Sequence, residues 1–471
     1  MILIVAFILL GVTALYSVKH PSIMVAAAIC VFGFEQWAQV KMPFFVINAQ
    51  LLNIYVGVLT LVGVGTVALR GHNPLNPFPR GVIMVYALYL YAYVSIVWSI
   101  NSRQSLAIMG AYGPYIASSV FLAPLLVYRE EQYKKAFLLA VFMGAVIMFL
   151  LITGTRTHDW GRTIVLEHGY KVLDKGGELT DRLSPLAIAE MGGQIALIVL
   201  LMNFTGMDRI WSLARYAIVA AGLFLIIRSG SRGQLLAIFA VAVTFFGASR
   251  SKSKAGHAVK TVVPLIVLGV LIFATFTALD AFRRWDVGKM TEEFQSTRFE
   301  MSMTLLGHWF TSSPVRWIFG LGGAASWDAS ILGAYCHIQP VEVLCEFGVI
   351  GFALYVAIIA QVGRSWMNTV GIYKNDPSKR GIAVAIAALF AFSFILSLKQ
   401  GSFIGTPMFG LTAIMLFRYE SLALQYKKKE ESQQVYWQWY QQQQQHQQQL
   451  AYHNSLQQQA MVPQPVAGPS A

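Results

Sequence analysis

The sequence predicts an all-α, polytopic integral membrane protein with about 12–13 transmembrane helices. Composition carries the first part of that reading: 56% of the 471 residues are hydrophobic and only 12% are charged, against about one quarter charged in soluble domains. The second observation is that apolar runs recur from the first residue to about residue 419, many near the ~20 residues a helix needs to cross the hydrocarbon. The third is that ten-residue stretches of alternating polarity, the mark of a membrane barrel, are missing from the pattern.

In chain order the expected spans are 2–17, 22–40, 50–69, 80–99, 104–127, 135–154, 185–204, 209–227, 232–248, 260–281, 342–363, 381–398 and 403–418. Taking one of these 13 as re-entrant leaves 12. The first run, "ILIVAFILLGVTALYSV", has no basic residue before it and no small-residue cleavage pattern after it. It reads as a retained helix instead of a signal peptide.

Basic residues in short loops set the orientation. The segments 250–260 ("RSKSKAGHAVK") and 364–380, the stretch after Arg418, and the loops with Arg70 and Arg80 and with Arg129, Lys134 and Lys135 are all basic. Placing these in the cytoplasm puts 154–184, 228–232, 282–341 and 399–402 outside by alternation. The net charge of +13 lies in loops between spans and does not point to nucleic acid. Cys30, Cys336 and Cys345 form neither a disulfide framework nor a zinc pattern. The segment 1–431 reads as the transmembrane catalytic domain, and 432–471 as a Gln-rich, disordered cytoplasmic tail.

Four segments distant in sequence then bring polar residues to one membrane face. They are Arg182 with Glu190 two turns further on, Arg228 and Arg232 around a Ser-Gly-Ser turn, Arg298 at the start of an amphipathic helix expected over 293–309, and "CHIQPVEVLCE" with His337, Glu342 and Glu346. Guanidinium groups match phosphate oxygens with forked donors. Backbone N–H groups of the Ser-Gly-Ser turn are expected to point outward and assist. Histidine suits proton transfer near neutral pH. Glu342 and Glu346, one turn apart, are placed to orient the imidazole or to bind a hydroxyl. Each residue also has a plainer reading: arginines at span ends anchor at the interface, and Glu342 complements a helix N-terminus. A carboxylate inside a span, such as Glu190, is a functional or pairing candidate. "FGLGG" at 319–323 is too isolated to read as a phosphate loop. Four tryptophans, Trp285, Trp309, Trp317 and Trp327, predict that the loop 282–341 packs down on the membrane.

Together "SGSRGQLLAIFA" (229–240), "WIFGLGG" (317–323) and "CHIQPVEVLCEFGVIGFALY" (336–355) resemble the O-antigen ligase and polymerase superfamily, with "RLSPLAIAEMGG" (182–193) and "STRFEMSM" (296–303) matching its arginine-led helix starts. The likeness covers about residues 180–365. The chain departs from the family pattern at Ile338, where Asn is usual, and at Leu186, where a Pro-Asn pair is usual. The resemblance implies a metal-independent glycan transfer, with no cofactor, at the periplasmic face of a bacterial inner membrane, under a large helical periplasmic loop. The donor would be a polyprenyl-diphosphate-linked glycan. The acceptor would be the lipid A core in a ligase, or another lipid-linked glycan in a polymerase. His337 would be the general base, and Arg182, Arg228, Arg232 and Arg298 would hold the diphosphate. Ligase and polymerase share these motifs. A lipid-linked saccharide transporter is the reading from a different class; it would gather its polar groups near the midplane.

Overall fold

A computed structural model describes residues 2–48, 50–155, 164–165, 172–173, 179–180, 182–202, 209–249 and 297–460. The expected span 260–281, the basic loop 250–260, Trp285, the start of the 293–309 helix and most of 154–184 lie outside the described residues. The fold is helical, apart from short two-residue pairings such as Val165 with Arg182. Eight helices among the described residues are long and apolar enough to cross a membrane: Ile23–Lys41, Gln50–Leu69, Arg80–Trp98, Ser102–Leu126, Glu130–Gly154, Arg232–Ser249, Gln339–Ile372 and Pro377–Ser397. That is the architecture of a multi-pass membrane protein. Helices Ile2–Lys19, Pro185–Leu201 and Arg209–Arg228 add to the bundle.

The helix ends sort into two opposed groups. At one end the basic loops bind one another's backbone or carboxylates. Arg70 donates to the Val18 and Lys19 carbonyls, Arg418 to those of Pro74 and Pro77, and Arg380 to that of Ala248. Lys379 pairs with Glu130 at 2.8 Å. At the other end Arg228 donates to the Thr155 carbonyl, and Arg298 to that of Lys399. The basic loops and the arginine–histidine segments therefore occupy opposite ends of the bundle, as alternation requires.

Two local features depart from expectation. The helix expected from 403 begins at Met408, because the left-handed Gly401 and then Pro407 keep 398–407 a loop. The Gln-rich segment, expected to be disordered, is helical through Ala460. Gln, Lys and Glu are good helix formers, and neither Gly nor Pro occurs between Leu411 and Ala460.

The helix Gln339–Ile372 is broken at Gly348, whose φ of 64° is left-handed. Into that break the backbone of Ile318–Gly322 docks, with Leu321 N–H on the Cys345 carbonyl (2.8 Å) and Gly322 N–H on that of Glu346 (2.9 Å). A Cβ on Gly348 would stand 2.3 Å from the Ile318 carbonyl oxygen, and one on Gly320 2.1 Å from that of Glu346. The glycines of "FGLGG" thus permit backbone to meet backbone.

Candidate active site

His337 sits where the loop ends, just before the helix that starts at Gln339. Its φ is +66°, a left-handed conformation that costs a branched-at-Cβ-free but bulky residue about 1–2 kcal/mol. The surroundings hold it there. Cys336 is buried beneath the helix Thr297–Phe310, with its thiol 3.3 Å from the Ser302 hydroxyl. Leu305, Trp309, Leu321, Ala325, Ile331, Cys336 and Cys345 form one apolar cluster. The loop is also tied to the turn before Ser102: Asn101 donates to Asp328 (2.9 Å) and Gln104 to the Trp327 carbonyl (2.7 Å). Of the tryptophans of that loop among the described residues, Trp309 is buried, Trp327 half-buried and Trp317 exposed.

The imidazole of His337 is half-buried and lies 4.1 Å, centroid to centroid, from the Tyr335 ring. Among the described residues its buried Nδ1 has no hydrogen-bond partner. Burial, and then the nearby Arg298 guanidinium, lower its pKa from 6.5 to about 4. Both act against the imidazolium. At neutral pH the ring is therefore uncharged and keeps a lone pair.

Arg298 lies in the helix Thr297–Phe310, as the sequence predicts, as the second residue of its described part. Its side chain is exposed, but the guanidinium is fixed by a 2.9 Å bond to the Lys399 carbonyl and stands within electrostatic reach of His337 and Tyr335. Arg228 is half-buried and donates to the Thr155 carbonyl at 2.6 Å. Arg232 opens the helix Arg232–Ser249. Arg182 is described in its backbone alone, paired to Val165. The turn between Arg228 and Arg232 is as tight as expected, with Gly230 left-handed at φ 65°. Its N–H groups are not aimed outward: those of Gly230, Ser231 and Arg232 bond to the Ile227, Ile226 and Gly230 carbonyls. The turn consumes its own donors.

The two glutamates divide. Glu346 accepts from the backbone N–H of Ala324 (2.9 Å), the N–H of Ser326 (3.0 Å) and the Ser326 hydroxyl (2.6 Å). It is an internal strut for the 320–327 loop. Glu342 is 1% exposed; one oxygen accepts from the Phe403 N–H at 3.3 Å, and Oε2 has no partner among the described residues. Among the described residues neither carboxylate hydrogen-bonds the imidazole, so the expected orienting role is not observed. Glu190 accepts from Gln194 at 3.1 Å, inside the helix Pro185–Leu201.

Residues the sequence reading passed over join this group. Gln339 is fully buried, and its amide oxygen and nitrogen both lack partners among the described residues; the Gln400 amide oxygen is in the same state. Buried polar atoms are nearly always satisfied by protein, water or ligand. His337, Gln339, Glu342 and Gln400 each carry such an atom, and the Glu342 carboxylate also meets the 398–407 loop at Phe403. Lys399, half-buried, lays its ammonium on the backbone of Gly233. A lone lysine at a span end carries no signal of this; Glu35, paired at 3.1 Å to Gln39 as Glu190 is to Gln194, is a second buried carboxylate the reading missed.

No known family and no curated protein matches the chain. Among the described residues no group of three or more His, Cys, Asp and Glu is placed to hold a metal ion. Around His337 the described residues place an uncharged imidazole, the Arg298 guanidinium and buried polar atoms without partners; Arg228 is held instead on the Thr155 carbonyl.

Proposed function

We propose that the protein transfers a glycan from a polyprenyl-diphosphate donor to a sugar hydroxyl, in the manner of an O-antigen ligase, at the periplasmic face of a bacterial inner membrane. One observation carries this reading: Arg298, fixed on the Lys399 carbonyl, stands within electrostatic reach of the uncharged His337. A cation for a leaving anion and a base for an attacking hydroxyl then share one site. The motif resemblance over residues 180–365 supplies the substrate class.

The chemistry balances without a further reactant. The acceptor oxygen forms a bond to the anomeric carbon of the donor as its proton passes to His337. The bond from that carbon to the diphosphate oxygen breaks, and polyprenyl diphosphate leaves with one more negative charge. Arg298 and Arg232, with Arg228 and Arg182 expected beside them, offset that charge as it develops. Glu342 Oε2 and the Gln339 amide are free to take acceptor hydroxyls, which turns their unmet hydrogen bonds into recognition. The ligase form of the reading names the lipid A core as acceptor; the polymerase form names a second lipid-linked glycan.

The test is reconstitution. Purified full-length protein in detergent, given lipid-linked saccharide and a lipid A core acceptor, should form the conjugate and release polyprenyl diphosphate. Extension of the lipid-linked saccharide alone would instead favour the polymerase form. Neither product, with protein shown to be folded, would end the transfer reading in favour of a transporter.

A further inference from the structure

We propose that Glu35, Gln36 and Asn53 bind a monovalent alkali cation inside the bundle, at a site separate from His337 and independent of the glycan-transfer reading. Glu35 lies in the helix Ile23–Lys41, about 9 Å along it from the Lys41 end, and is 8% exposed. A carboxylate inside a span is costly without a counter-charge. Among the described residues no lysine, arginine or histidine pairs with this one; the amides of Gln39 and Asn53 hydrogen-bond it. The other ionisable groups within electrostatic reach, Tyr112 and Tyr115, are phenols and bring no positive charge.

The hydrogen bonds fix which atoms are left over. An ionised carboxylate only accepts, so Gln39 turns its amide nitrogen to Glu35 Oε1, at 3.1 Å. That leaves the Gln39 oxygen for Gln36, which donates its own amide nitrogen at 3.4 Å. Asn53, in the helix Gln50–Leu69, spends its amide nitrogen on the same carboxylate. What remains of this group is Glu35 Oε2, Gln36 Oε1 and Asn53 Oδ1, all buried and all without a hydrogen-bond partner among the described residues. Gln36 is itself only 9% exposed. The remainder is three acceptors and no donor. A proton on Glu35 supplies one donor and a water molecule two, whereas a cation is coordinated by every oxygen. Carboxylate and amide oxygens suit hard cations. A single carboxylate cancels a single positive charge, and a divalent ion would leave net charge buried.

The experiment measures cation uptake, with no glycan present. Full-length protein in detergent is titrated with isotopically labelled sodium, and unlabelled sodium, potassium, calcium and choline compete. Sodium or potassium should bind saturably, one ion per chain, and choline should not displace it. Glu35→Gln should weaken uptake by about tenfold or more, since a charged ligand becomes a neutral one. Replacing choline by the bound alkali ion at constant ionic strength should raise the Tm of the wild type and leave that of Glu35→Gln unmoved. Asn53→Ala should bind several-fold more weakly, and carries the test should Glu35→Gln fail to fold. Asn53→Asp, with a second carboxylate, should let calcium compete where it does not in the wild type. Uptake of neither alkali ion by the wild type, undiminished uptake in Glu35→Gln, or a wild-type Tm equal in choline and in both alkali salts would each overturn the proposal and leave Glu35 a protonated acid.

Discussion

Arg298 ties the helix Thr297–Phe310 to the loop after Ser397 by donating from its guanidinium Nη1 to the Lys399 carbonyl at 2.9 Å. The same guanidinium acts electrostatically on His337. Arg298→Ala should lower the transfer rate by about 100- to 1,000-fold, the usual cost of losing one stabilising donor. Arg298→Lys should recover part of it, since a point charge replaces a fork. Steady-state rates on protein of unchanged melting temperature are the check; a wild-type rate in Arg298→Ala would remove the residue from the mechanism.

The pH profile should report His337. Its protonated form cannot accept a proton, so kcat/KM should rise as pH increases through about 4 and stay level towards neutrality. Removing Arg298 takes away one of the two causes of the depression, so in Arg298→Gln the acid limb should move up towards 6.5. Stability follows the same group. Its folded pKa lies below its unfolded value, so the unfolded chain binds more protons between pH 6.5 and about 4, and that stability is lost as pH falls through this window. An acid limb unmoved by Arg298→Gln would contradict the assignment.

Glu346 and Glu342 should part company on substitution. Glu346→Ala strands the N–H groups of Ala324 and Ser326 and the Ser326 hydroxyl, at a cost of about 3 kcal/mol or more. Its melting temperature should fall sharply. Glu342→Gln keeps the shape and an amide oxygen that can still accept from the Phe403 N–H, so it should fold and instead raise the KM for the acceptor. Thermal unfolding and acceptor kinetics, run on both variants, separate the strut from the binding group.

Much of this was legible in the residues. The apolar runs give the helices because a span must satisfy its own backbone within an apolar solvent. The change from polar loop to apolar helix after His337 marks the candidate site in the sequence, and the alternation of basic loops assigns the arginines to the opposite end of the bundle. The place of Lys399 was not legible, because its side chain approaches Gly233, which is remote in sequence. The helix spacing of Glu342 and Glu346 suggested one job for both. The Gly348 break and the docking of Gly320–Gly322 against it give Glu346 a separate partner, and such long-range backbone contacts leave no periodic trace. In the Gln-rich segment, low complexity pointed to disorder while the helix propensity of glutamine pointed the other way, and helix prevails through Ala460.

Sidedness is open to labelling, because Cys30, Cys336 and Cys345 are all buried. Ser330 and Lys374 are exposed and belong to the two opposed groups of loops. In intact spheroplasts a membrane-impermeant maleimide should modify Ser330→Cys and leave Lys374→Cys unmodified until the membrane is opened. The reverse pattern would put the His337 site in the cytoplasm.

The central claim is that His337 takes the proton from an acceptor hydroxyl as a diphosphate leaves. The most direct measurement is transfer of a lipid-linked saccharide to its acceptor by purified His337→Ala, beside the wild type, in detergent with no metal or nucleotide added. The account predicts a folded variant that still binds the lipid-linked donor and forms no detectable conjugate; conjugate formed at the wild-type rate would contradict it.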